Sequence, residues 1–237
     1  MGNIVGIIPA RGGSVGVPLK NIKNLNGEPL ISYTIKSAIE SKCLDRVIVS
    51  TDHEETASIS KKYGAEVPFK RPAEISEDVD TELVLQHVVN FLENEENYTP
   101  DAIVLLQPTQ PFRTAKTLRA CVELYKKTAD ADSVVSVNNI EGNRPEWMLS
   151  INEEGKVIPY NTPFVEDGKP VIKLVARQSL PNLFKQNGAV FVTSRDLLMS
   201  KSLVIGPNAY TVITDEREAV DIDTPVDFMI AEALMKN

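Results

Sequence analysis

Cysteine, histidine and tryptophan are scarce in this 237-residue sequence, which holds two, two and one of them, and the scarcity removes several chemistries at the outset. Cys43 and Cys121 stand alone, at neither zinc-site nor redox-pair spacing, so both are expected to be reduced packing residues. His53 and His87 each fall in or near a helical segment with no Ser, Cys or metal partner close by, which argues against a hydrolase triad. No apolar run approaches the roughly 18–20 residues that cross a bilayer. The start Met1-Gly2-Asn3-Ile4 lacks the basic region of a secretory leader, and position 6 is Gly where myristoylation wants Ser or Thr, so a cytoplasmic protein is expected. An excess of positive charge is missing too. With a formal net charge of −8 the chain offers no broad nucleic-acid surface, and an anionic ligand must be met by a local basic site.

What remains reads as an α/β protein. Hydrophobic residues at 42% and charged residues at 24% match a globular chain, long enough for one large α/β domain. Apolar β-branched runs at Ile4–Pro9, Arg46–Ser50, Ala102–Leu106 and Ser133–Val137 alternate with helical spacing over Leu30–Ile39, Glu54–Tyr63, Thr81–Asn94 and Ala115–Lys127. Glu66–Phe69 offers one more short extended segment, and Gly64 a helix stop. This alternation predicts a mainly parallel sheet covered by helices on both faces, with ligands beyond the C-terminal strand ends. From Asn138 to Arg177 the composition changes to dispersed Pro, Asn, Gly and charge, with hairpin-turn chemistry at Glu153–Lys156 and Glu166–Lys169, which suggests an inserted arm. Strand pattern resumes at Gly188–Thr193, and a helix is expected from Pro225 to Met235.

Chemistry concentrates in three places. Pro9-Ala10-Arg11-Gly12-Gly13-Ser14-Val15-Gly16-Val17-Pro18-Leu19-Lys20-Asn21 follows the first strand, where a Gly-rich loop can cradle phosphates with its N–H groups. It is neither GxGxxG nor GxxxxGK[ST]. Arg11 and Lys20 add the positive charge a triphosphate requires, with Ser14 a hydrogen-bond donor rather than a nucleophile. The plainer alternative is a tight turn with solvated cations. Gln107 ends the most apolar strand, where its amide can pair with a pyrimidine or sugar edge; alternatively it is a surface amide before a Pro-rich turn. Asp221 and Asp223 flank Ile222 in an extended segment, so both carboxylates share one face and can hold Mg²⁺, or the segment caps the final helix through Asp223 or Thr224 with Pro225 at its start.

Taken together these segments resemble the acylneuraminate cytidylyltransferases, the family that makes CMP-sialic acids. Ala10–Asn21 is similar to that family's ARGGSKGxPxKN, Val49–Asp52 to its VSTD, and Arg71–Glu74 to its RPAE. Leu105–Arg113 resembles LLQPTSPLR, and Asp221–Thr224 matches DIDT. The match runs over nearly the whole chain. It implies a Rossmann-like fold of the nucleotide-diphospho-sugar transferase type as one domain over residues 1–237, with the arm at 138–177 serving dimerisation and closure of the sugar site. It implies CTP, Mg²⁺ and an acidic nine-carbon sugar as ligands and a homodimer as the working form. Arg11, Gly12, Gly13, Ser14, Lys20, Asn21, Arg71 and Thr81 then meet the nucleotide, and Gln107, Arg177, Lys185 and Asn187 the sugar. Arg11, Lys20, Arg177 and Asp223 act in catalysis, with Asp221 and Asp223 on the metal. One departure stands out: position 15 is Val where the family usually has Lys, which removes a contact worth on the order of 1.5–3 kcal/mol. Competing readings are transfer to another acidic sugar such as 3-deoxy-octulosonic acid, guanylyl or uridylyl transfer to a sugar phosphate, and a nucleotide-binding subunit without catalysis. Gln107 and the DIDT segment favour the sialic-type reading; Val15 keeps the last one open.

Overall fold

The computed structural model describes residues 2–14, 16–140, 142, 144–173 and 175–236, with the side chain of Arg177 excepted. The chain forms two compact units, residues 1–137 with 186–237 and residues 138–185. In chain order the elements are β1 (Ile4–Pro9), β2 (Asn24–Leu25), β3 (Glu28–Pro29), α1 (Leu30–Ser41), β4 (Arg46–Ser50), α2 (Glu54–Lys62), α3 (Thr81–Glu96), β5 (Ala102–Leu105), α4 (Ala115–Lys127) and β6 (Ser133–Asn139). There follow β7 (Leu149–Ile151), β8 (Val157–Pro159), β9 (Val165–Glu166), β10 (Lys169–Pro170), β11 (Phe184–Ser194), α5 (Arg195–Lys201), β12 (Ala209–Ile213) and α6 (Pro225–Met235).

The larger unit is built on a six-stranded sheet in the order β12-β6-β11-β5-β1-β4. β1 runs parallel to both β4 and β5, β12 is parallel to β6, and β11 is antiparallel to β5. The sheet is therefore mixed and mostly parallel, as the alternating pattern predicts. Burial follows the strand period of two. Ile4 and Ile8 of β1 pack with Ile31, Ile35, Leu118 and Cys121 of α1 and α4, while Val5 and Ile7 pack with Leu85, Val88 and Leu92 of α3 on the other face. Cys121 is buried and unpaired, as a packing residue should be.

Helix ends follow from capping side chains. Thr114 and Ser194 accept hydrogen bonds from the backbone N–H groups of Thr117 and Leu197. His53 Nδ1 accepts from the N–H of Thr56, so this histidine caps α2. Thr224 and Asp227 form a reciprocal capping box on α6 with Pro225 in its first turn, which gives the cap to Thr224 and leaves Asp223 out of it.

Several elements were not expected. Asn26-Gly27 carry φ of 50° and 93°, the two-residue turn that pairs β2 with β3. β12 is a short edge strand, and α5 has only seven residues. Glu66–Phe69 contributes one bridge, Glu66 to Ile48, and no strand, since Pro68 has no N–H for a ladder. The smaller unit runs on to Lys185, past the expected end at Arg177. Within it, β7 pairs with β8 and β9 with β10, the second hairpin turning at Asp167 and Gly168 with φ of 51° and 73°. Arg144 and Glu146 make a buried two-point pair with N–O distances of 3.2 Å, and Arg144 also donates to the carbonyl of Pro181 at 2.8 Å.

Candidate functional site

Where β1, β4 and β5 end, the larger unit opens a cleft of about 530 Å³. Arg11, Ser14, Lys20, Asn21, Arg71, Thr81, Gln107, Asp221 and Asp223 all line it. Four backbone anchors place them there. The N–H of Ala10 donates to Ser50 O at 2.9 Å, continuing the strand pairing by one residue, and that of Gly12 donates to Asp52 Oδ1 at 2.8 Å. Asn21, 6% exposed, donates Nδ2–H to the carbonyl of Arg11 at 3.0 Å and closes the loop on itself. The N–H of Ile222 donates to Thr109 O at 3.0 Å, seating the DIDT segment against the turn after β5. Ile222 is fully buried with Leu25, Leu30 and Phe228, so the residues on either side of it reach the cleft.

Gly16 fixes the distance between the loop and that segment. A β-carbon there would stand 2.3 Å from the carbonyl oxygen of Asp223, so no side chain fits without moving backbone. Gly13 has open space around it. Val15 lies outside the described residues.

The cleft cations are held by neighbouring acceptors. Lys20 Nζ donates to Ile222 O at 2.6 Å and to Asp223 Oδ1 at 3.0 Å, and Arg11 reaches Asp78 Oδ1 at 3.1 Å. Arg71 is different. It is 4% exposed, donates Nε–H to Ser50 Oγ at 3.1 Å and Nη2–H to Ser50 O, and has no ion pair among the described residues. Burial pushes its guanidinium down to about 10, with Asp52 opposing the shift and Arg11 adding to it. At neutral pH it remains a cation whose hydrogen bonds go to uncharged acceptors.

Of the other expected sugar residues, Asn187 lies in β11 within the larger unit. Asn187 is 5% exposed; its Oδ1 accepts from Ser136 Oγ at 2.7 Å and from the N–H of Ala189 at 3.1 Å, while Nδ2 donates to Thr214 Oγ1 at 2.7 Å. Both ends of this amide are therefore occupied by protein, leaving little for sugar hydroxyls. Lys185 is exposed near the start of β11, and Arg177 lies in a short helical turn, Arg177–Ser179, of the smaller unit.

Two contributors escaped the sequence reading. Asp78, beside Glu77 on the cleft wall, pairs with Arg11; four acidic residues near the start of α3 gave no reason to single it out. Arg113 is buried and donates Nη2–H to Gln107 O at 2.6 Å, Nη1–H to Thr34 Oγ1 at 2.9 Å and Nε–H to Ala189 O. Burial pushes it down to about 9 against the pull of Glu218. It ties the turn carrying Gln107 to β11 and α1, a role visible only once those carbonyls are in space.

A family model described as cytidylyltransferase matches residues 5–153, more than half of the sequence and most of the cleft. The chain belongs to the cytidylyltransferase family. This cytidylyltransferase is 34% identical to the CMP-N,N'-diacetyllegionaminic acid synthase of Legionella pneumophila over 98% of its own length and 96% of the relative's. It is 30% identical to the N-acylneuraminate cytidylyltransferase of Escherichia coli over 96% of its length, spanning 51% of that longer protein. Its fold is similar to that of a CMP:2-keto-3-deoxy-manno-octonic acid synthetase solved with CTP, at a TM-score of 0.71 and 16% identity over 99% of this chain and 98% of the other. The protein is thus a nucleotidyltransferase. None of its described helices is long and apolar enough to cross a membrane.

Proposed function

We propose that this cytidylyltransferase joins CTP to a nonulosonic acid of the sialic type, giving a CMP-sugar and pyrophosphate in the cytoplasm. Support comes from one observation above all: Arg11, Lys20 and Arg71 converge on one cleft with Asp221 and Asp223. The anomeric oxygen of the sugar forms a bond to the α-phosphorus, the bond to the β-phosphate bridge breaks, and pyrophosphate leaves while the hydroxyl proton passes to water or a basic oxygen. Alignment and charge stabilisation are what the cleft supplies. Arg11 and Lys20 bind the phosphates, releasing Asp78 and Asp223 as they do so. Arg71 and Asn21 take the cytidine and ribose end with Thr81 and Ser14 beside them, and Gln107 reaches the sugar.

The chemistry of Asp221 and Asp223 fits Mg²⁺: two hard carboxylates flanking a buried Ile222 on the cleft wall. Among the described residues no third acidic or histidine side chain clusters with them, so the protein would furnish two ligands and leave other positions to water and phosphate. When bound, the ion would neutralise charge on the phosphates and favour ionisation of the attacking hydroxyl.

A nine-carbon acid is favoured because the relatives matched over most of this chain act, by their names, on legionaminic and neuraminic acids. The arm is assigned to dimerisation and to closing the partner's sugar site, with Arg177 meeting the sugar carboxylate or the transferring phosphate and Lys185 the sugar. Its exposed Ile151, Tyr160 and Val165, at 71%, 73% and 63%, favour contact with a second copy. Purified protein with CTP, Mg²⁺ and a panel of nonulosonic acids is expected to release pyrophosphate with at least one. No release across the panel, with a control enzyme active, overturns the assignment. A monomer at micromolar concentration in sedimentation overturns the dimer.

A further inference from the structure

Gln110 is fully buried, yet neither its Oε1 nor its Nε2 has a hydrogen-bond partner among the described residues. A buried amide with both ends empty is costly, and a nonpolar residue would avoid that cost. Its surroundings suggest what the amide is for. Gly188, with φ of 75°, has no side chain, and the point where its β-carbon would stand is 2.3 Å from Gln107 Oε1 and 3.1 Å from Gln110 Nε2. An acceptor and a donor therefore crowd the same point beside Gly188, which only a residue without a side chain leaves to them. The backbone beneath them is fixed: the N–H of Gln110 donates to Gln107 O at 3.3 Å, and Arg113 holds the same carbonyl at 2.6 Å. Only the two side-chain amides are left to adjust.

We infer that Gln110 is a positioning residue for Gln107, its Nε2–H donating to Gln107 Oε1 beside Gly188 after a small rotation of the two amides. With its oxygen engaged, Gln107 presents only Nε2–H to the cleft. The ligand group read there is then a hydrogen-bond acceptor, a carbonyl, carboxylate or base oxygen, and a group that can only donate is refused. This rests on the proposed cytidylyl transfer for its kinetic consequence, and on the cleft geometry alone for the contact.

Two measurements on the full-length protein test it. Side-chain amide resonances of Gln107 in ¹⁵N spectra of the free protein are expected to move on Gln110→Leu, and unmoved resonances overturn the contact whether or not the enzyme turns over. In steady-state assays Gln110→Leu is expected to raise KM about tenfold for one substrate only, CTP or the sugar, which tells where the acceptor resides. The same substitution in a Gln107→Ala background is expected to add nothing, while Tm in the wild-type background stays level because loss of the Nε2 bond is offset by removal of the unpartnered Oε1. Equal KM increases for both substrates with a fall in Tm mark a packing role and overturn the inference, as does an effect that persists without the Gln107 side chain. Should Gln110→Leu fail to fold, Gln110→Met carries the same comparison. Wild-type protein that releases no pyrophosphate refutes the proposed function alone, and the resonance comparison still decides the contact.

Discussion

The cleft and the arm solve opposite problems. In the cleft, charged groups sit on segments that leave a sheet buried on both faces, and each cation is held by a carboxylate or carbonyl of its own unit, Arg71 by a carbonyl without a carboxylate. In the arm, strands of two or three residues carry their apolar side chains outward, and the one buried ion pair among the described residues, Arg144 with Glu146, joins residues two positions apart. The difference teaches where precision comes from. A reacting centre needs groups held within fractions of an ångström, which a packed sheet supplies; an outward apolar surface takes its order from whatever covers it.

Substitutions can break or sharpen that contrast. The largest effect is expected from Asp223→Asn: turnover falls about 100-fold or more, while Tm stays near the wild-type value because the lost pair with Lys20 involves a carboxylate that is 70% exposed. Retained activity with unchanged metal dependence counts against the metal assignment. Gly16→Ala comes next. The new methyl pushes the loop from Asp223 O, and a displacement of this kind costs roughly 100-fold in kcat/KM, with little change in the arm; wild-type kinetics show the loop to be more pliant than its contact implies. In the arm, Ile151→Ser with Tyr160→Ser is expected to lower the sedimenting mass toward a monomer while shifting stability by no more than about 0.5 kcal/mol per site. The smallest effect concerns His87, half-buried against Phe69 beside the core of the larger unit. Burial, with Arg71 nearby, holds its imidazole below the usual histidine range. The unfolded chain therefore binds the proton more readily, so stability is full above about pH 6.5 and declines as pH falls through 6.5 toward the lower folded value. His87→Gln is expected to flatten that decline in Tm between about pH 7.5 and 5; an unchanged slope assigns it to other groups.

Legibility in the sequence followed the same divide. β1, β4 and β5 announced themselves because strands covered on both faces must be apolar throughout, and α1, α3 and α4 because one helical stripe must be. β12 and the β2–β3 turn were silent, being short and at an edge, although Asn26-Gly27 is itself a turn signal. Arg11 and Lys20 stood out by their place in a Gly-rich loop. Arg113 and Asn187 could not be read the same way, because what each does depends on carbonyls and hydroxyls from segments far along the chain, such as Ala189 for Arg113 and Ser136 and Thr214 for Asn187. Burial of a polar residue and the identity of its partners are properties of the assembled core, and no local pattern encodes them.

The contact of Lys20 with Ile222, together with Gly16 against Asp223, joins segments 202 residues apart along the chain. During synthesis the phosphate loop leaves the ribosome early, but its lysine has no seat and its cleft no far wall until the DIDT segment has emerged. Chains cut short before that point can carry every strand of the main sheet and still lack the wall that Asp221 and Asp223 give the cleft.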